Sequence, residues 1–150
     1  MRVMTQFSIF LVNKPGVLAQ VMSALAREKV NVTALTLMDS SEHGVLRLVS
    51  EEPDRARAAL ARSHDRFTET EVLAMELTNE PGAFARAAEK LAAAHININY
   101  AYCTGGAPGG KTTAIFKVAD LKKALRILKP AKAVRKEPRQ AVRSSPGRRR

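Results

Sequence analysis

Two short stretches of this 150-residue chain combine residue types that suit a small zwitterion: Asn13-Lys14-Pro15-Gly16 and Asn79-Glu80-Pro81-Gly82. Each follows alternating apolar residues and precedes apolar residues at helical spacing, so each marks a strand-to-helix turn. Pro15 and Pro81 suit a first helical turn, where the missing N–H is no loss. Gly16 and Gly82 let a ligand approach the backbone closely. The amides that follow, of Val17 and Leu18 in one copy and Ala83 and Phe84 in the other, then face outward at the positive end of a helix, which is a place for a carboxylate. Asn13 and Asn79 can both donate and accept, which suits an amino acid carrying an ammonium and a carboxylate together.

Other candidate chemistry is weaker. Gly105, four residues, then Gly110-Lys111-Thr112 satisfies the phosphate-loop pattern letter for letter. A phosphate loop needs a helix directly after its lysine, and Thr112 to Val118 is β-branched and alternating, which is strand material. Glycine-rich hairpin is the better reading. The single cysteine, Cys103, excludes an intrachain disulfide, and His43, His64 and His95 lack metal-ligand spacing. No metal or other cofactor is implied. Neither a Ser/His/Asp nor a Cys/His set stands out, so the chain reads as non-catalytic. RNA binding on a sheet face needs exposed aromatics, and these are scarce: Phe116 falls on the third strand of the second unit and Tyr100 and Tyr102 on its second strand, while Val45 to Ser50 of the first unit has none.

The elements that position these turns come from a repeat. At an offset of 66, Asn13 to Gly16 falls on Asn79 to Gly82, and Val30-Asn31-Val32 on Ile96-Asn97-Ile98. Gly44 falls on Gly110 and Asp54 on Asp120 without an insertion. The units span residues 1–68 and 69–136. Phe7, Ile9 and Leu11, repeated as Leu73, Met75 and Leu77, predict a half-buried first strand. Leu18, Val21, Met22 and Leu25, with Phe84, Ala87, Ala88 and Leu91, predict a helix ending near Lys29 or Ala94. Hairpins follow over 31–38 and 45–50, and over 97–104 and 111–118. A second helix starts at Asp54 or Asp120, whose charge suits the helix dipole. Final strands are expected at 66–70 and 132–136. The order β-α-β-β-α-β is an α+β, ferredoxin-like arrangement, an antiparallel sheet with both helices on one face.

A domain of about 60 residues buries only ~60% of its unfolded surface, against ~68–70% at 150 residues. The two units are therefore expected side by side, sheets joined at an edge and all four helices on one face. The net charge of +11 sits mostly in residues 129–150, which hold nine Lys/Arg against Glu137. The remaining body is nearly balanced. Residues 137–150 have little apolar content and are expected to be a disordered basic tail, able to bind nucleic acid or another polyanion nonspecifically. That is the alternative function. With no signal peptide and no ~20-residue apolar span, the chain reads as cytoplasmic with no membrane contact.

The doubled turn, with Val12 and Val17-Leu18 around one copy, Thr78 and Ala83-Phe84 around the other, and the paired Val30-Asn31-Val32 and Ile96-Asn97-Ile98, resembles a tandem ACT-domain protein over residues 1–136. The resemblance implies an allosteric, regulatory amino-acid binder acting through a homo-oligomer or a partner protein. It also implies ligand sites where two domains meet, between the turn of one and the second-strand start of the other. One site would then combine Asn13, Pro15, Gly16, Val17 and Leu18 with Asn97 and Ile98. The second would combine Asn79, Pro81, Gly82, Ala83 and Phe84 with Asn31 and Val32. Some serine-binding ACT domains carry a histidine two residues before the asparagine; this chain has Leu11 and Leu77.

Overall fold

The computed structural model describes residues 1–38, 43–63 and 65–129. Ten elements follow the expected alternation: β1 (Arg2–Val12), α1 (Val17–Arg27), β2 (Val32–Met38), β3 (His43–Ser50), α2 (Pro53–Arg62), β4 (Arg66–Thr78), α3 (Ala83–Ala93), β5 (Ile98–Cys103), β6 (Lys111–Val118) and α4 (Leu121–Leu128). They form one antiparallel six-stranded sheet in the order β2-β3-β1-β4-β6-β5. The arrangement is two ferredoxin-like units sharing a sheet. The strand expected at 132–136 and the basic tail lie outside the described residues.

The alternation in β1 sorts its side chains between two faces. Phe7, Ile9 and Leu11 pack beneath α1 and α2, with Leu46 and Leu48 of β3 and Leu25 and Leu60 of the helices. Leu73 and Leu77 do the same beneath α3 and α4, with Phe116, Leu91 and Leu128. Since Val3 pairs directly with Leu73 and Ile9 with Phe67, these residues share one face, and all four helices cover it.

The units meet through β1 and β4, whose pairing runs from Arg2 opposite Ala74 to Phe10 opposite Arg66. Thr5 and Glu71, superposed by the 66-residue offset, face each other, so the pseudo-two-fold axis passes between them. β4 itself is one unbroken strand of 13 residues. The closing strand expected at 66–70 runs straight into the first strand of the second unit, and the 68/69 boundary falls inside it. No linker separates the units.

The sheet is strongly curled. β5 lies four places from β3, about 19 Å in a flat sheet at ~4.8 Å per strand. Yet the Arg47 guanidinium of β3 stands 4.1 Å from the centroid of the Tyr100 ring of β5, and the edge strands β2 and β5 touch. Curling encloses a third core on the face away from the helices: Met4, Ala34, Val49, Val72, Ala74 and Ile115, with Tyr102 packed against it. Gln6 is fully buried there. It donates to the Tyr100 hydroxyl at 2.7 Å and to Ser8 Oγ at 3.2 Å, and accepts from the Tyr102 hydroxyl at 3.0 Å. A buried amide satisfied in this way stabilises the closure instead of opposing it.

One expectation is corrected. The repeat does not run without insertion. β1 pairs Phe7 with Leu48, whereas β4 pairs Leu73 with Phe116. The third strands therefore correspond at an offset of 68, and Gly44 matches Thr112, not Gly110. The second helices follow the same offset: buried Ala56 and Leu60 match Ala124 and Leu128, and the N-cap Glu52 matches Asp120. Two extra residues sit in the glycine-rich hairpin between β5 and β6.

Candidate functional site

At the first turn Gly16 has φ +88°, a left-handed value open to glycine, and no side chain caps α1. The Val17 N–H donates to the Lys14 carbonyl at 3.3 Å, so of the two amides expected to face a ligand this one closes the turn. Beside the turn lies a cavity of about 270 Å³, lined by Leu11, Val12, Asn13, Lys14, Val17, Leu18, Leu37, Met38 and Gly44. Its walls thus come from the end of β1, the start of α1, and the ends of β2 and β3 that meet them. Among the described residues, Lys14 is the one charged residue in the lining. Val12, Leu37 and Met38 are 46–48% exposed, leaving an apolar rim. Sequence reasoning missed Leu37, Met38 and Gly44. Their hairpin carries no binding motif, and only the β1–β3–β2 pairing brings them beside Asn13.

The second turn repeats the backbone conformation. Gly82 has φ +81°, and the Ala83 N–H donates to the Glu80 carbonyl at 3.3 Å. Asn79 is bound by the hairpin over 104–110. Its side-chain amide donates to the Gly106 carbonyl at 2.7 Å and the Ala107 carbonyl at 3.1 Å. Its backbone N–H donates to the Gly110 carbonyl at 2.8 Å, and its carbonyl accepts from the Gly109 N–H at 2.9 Å. Glu80 pairs with Arg86, and the Phe84 ring stacks on Phe116 with centroids 5.0 Å apart. A cavity of about 280 Å³ beside this turn is lined by Leu77, Thr78 and Ala83, the 66-residue counterparts of Leu11, Val12 and Val17, together with residues such as Met75, Arg86 and Lys90.

The crossed sites are not assembled within one chain. Ile98 pairs with Val118, and the ladder of β6, β4 and β1 puts that row level with Thr5. Thr5 is seven residues from Val12, about 23 Å along the strand. The Asn31 N–H is held by Glu52 at 3.3 Å and the Asn97 carbonyl by the Ala119 N–H at 3.1 Å, each within its own unit. The physical cause is the continuous β4, which joins the units through β1 and β4 and keeps the second-strand starts away from the opposite turns.

The phosphate-loop pattern is a hairpin. Lys111 opens β6, and its ammonium pairs with Glu76 at 3.0 Å. Of the three aromatic residues weighed for stacking, Phe116 is fully buried and both tyrosine hydroxyls engage Gln6. A further cavity of about 320 Å³ lies between α1 and α2, where Arg62 pairs with Glu28 at 2.9 Å. It shares Val17 with the cavity at the first turn. Among the described residues, no helix is long and apolar enough to cross a membrane.

Two units of this topology, each with an Asn-x-Pro-Gly turn, define an ACT-type regulatory fold. The family model for an ACT domain pair matches residues 1–136, and the chain belongs to that family. Its fold is similar to that of protein BT0572 from Bacteroides thetaiotaomicron, with 32% identity and a TM-score of 0.78 over 85% of this chain and 87% of that one. It is also similar to the ligand-free regulatory subunit of aspartate kinase from Thermus thermophilus, at 16% identity and TM-score 0.62 over 85% and 95% of the two chains. The corresponding subunit from Thermus flavus gives 18% identity and TM-score 0.54 over 76% and 82%. At these last identities the likeness is one of fold. No curated protein matches the chain.

Proposed function

We propose that this chain is a non-catalytic regulatory protein that binds a free amino acid at the Asn13 turn and passes occupancy to a second copy of itself or to a partner protein in the cytoplasm. The observation that carries the reading is the 270 Å³ cavity at that turn. It lies just below the ~300–1,000 Å³ typical of sites for drug-sized ligands, which suits a small metabolite. Lys14 and the start of α1 provide for the carboxylate, Asn13 for the ammonium, and the apolar wall for the side chain. Asn31 and Val32, and Asn97 and Ile98, enter this reading as contributions from a second copy, since one chain keeps them from the opposite turns. Ligand binding shifts a population only where it favours one arrangement over another.

The test is thermal denaturation of the full chain with each of the twenty amino acids at millimolar concentration. A ligand at 100 times its Kd stabilises the fold by about 2.7 kcal/mol. A rise with one or a few related amino acids is expected; a flat response to all of them removes the amino-acid reading.

A further inference from the structure

We infer that the outward side of α4, together with the basic segment that follows it, is a binding surface for the phosphate backbone of duplex nucleic acid. It stands independently of any ligand at the Asn13 turn.

In α4 and its C-cap, residues 121–129, the exposed positions are Lys122, Arg126 and Lys129. Spacings of four and three residues put all of them on one side of the helix. Among the described residues, none of the three pairs with a carboxylate. The stripe runs about 10 Å at ~1.5 Å per residue, which matches about three phosphate steps of ~3.4 Å along one strand of a duplex. Directly after it, residues 130–150 carry eight Lys/Arg against Glu137, so the positive run continues along the chain.

Helix stability does not account for the stripe. Arg126 and Lys129 complement the negative C-terminal end of α4, but Lys122 lies in its first turn, where the dipole disfavours a cation. The first unit supplies the contrast. At the offset of 68, Lys122, Arg126 and Lys129 match Asp54, Ala58 and Ala61 of α2, which are exposed in the same way. Those three places carry one acid and no cation, and the neighbouring Arg57 and Arg62 are held by Asp54, Glu69 and Glu28. Three unpaired cations thus stand on the second unit where the first has none.

The rest of α4 narrows the partner. A helix lying on a membrane needs a free apolar side beside its cations. Here Leu121, Ala124, Leu125, Ile127 and Leu128 are already packed into the second core. Proteins that hold single strands stack bases on aromatic side chains. α4 carries no aromatic residue, and the one on α3, Phe84, is stacked on Phe116. A duplex offers regular backbone charge and asks for no stacking, and such contacts are independent of base sequence.

The experiment is fluorescence anisotropy of the full chain with a labelled DNA duplex of about 20 base pairs, between about 50 and 200 mM salt. The wild type should bind with a steep fall in affinity as salt rises. The triple variant Lys122→Gln, Arg126→Gln, Lys129→Gln should flatten the slope of log affinity against log salt by about 2–3, since each phosphate contact contributes about 0.9. Lys122→Arg combined with Lys129→Arg keeps the charge and should keep the slope. An unchanged slope in the triple variant would leave binding to residues 130–150 alone and overturn the surface on α4, as would no binding of the duplex at the lowest salt. Tighter binding of a single strand of equal length, or of vesicles containing phosphatidylserine, overturns the assignment of a duplex as the partner.

Discussion

At the scale of single residues, Gly16 and Gly82 carry the clearest demand. Both hold left-handed φ, +88° and +81°, at the N-caps of their helices. A Cβ on Gly16 would meet nothing within 4 Å. The cost of Gly16→Ala is therefore backbone strain alone, about 1 kcal/mol. Denaturant unfolding should show a lowered midpoint with an unchanged slope; an unaffected midpoint would show that the turn tolerates a side chain. Lys14 and Glu80 occupy equivalent places with opposite charges, and Glu80 is paired with Arg86.

Elements are tied by pairings that the repeat pattern does not reveal. Arg57 of α2 binds Glu69 of β4 through two hydrogen bonds, at 2.6 and 2.7 Å, and also reaches Asp54 at 2.6 Å. The bidentate bond to Arg57 lowers the Glu69 carboxyl below its ordinary range, outweighing the small effect of burial. A lowered folded value means that the tie stabilises at neutral pH and is lost as pH falls through it. Arg57→Ala should therefore be less stable than the wild type at pH 7, and the gap should close on acidification. A gap independent of pH would mean that Arg57 acts through packing. The β5–β6 hairpin is another such tie, through which the Gly106 and Ala107 carbonyls hold the Asn79 side chain.

Across the whole molecule, the curled sheet turns the face away from the helices into a third core, and the Gln6 cluster spans it from the first unit to the second. Burial is the main reason the Tyr102 hydroxyl titrates well above its ordinary value, with Tyr100 adding to the shift. Tyr102→Phe leaves the buried Gln6 oxygen without this donor, a loss of about 1–3 kcal/mol. Gln6→Met combined with Tyr102→Phe should cost less than the two changes summed, because removing both partners strands neither. Strict additivity in that double-mutant cycle would show that the seam is held by apolar packing alone.

The amino-acid sequence by itself determined the βαββαβ order of the first unit and, as far as the described residues run, the βαββα order of the second, because alternation, helical spacing and the Pro-Gly turns act within a few residues of one another. It also determined the pair of turns and their kinship with ACT domains. Only tertiary structure decided that the closing strand of one unit is continuous with the opening strand of the next, since no turn residue marks the join between Thr70 and Leu73. That continuity selected the edge through which the units meet, and so left the crossed sites unassembled within one chain. The gapless repeat was misleading for a related reason. Chance matches at Gly110 and Asp120 concealed a shift that only hydrogen-bond register exposes, because register depends on residues far apart in the chain. The hold on Asn79 likewise depends on a hairpin nearly thirty residues away, beyond the reach of any local pattern.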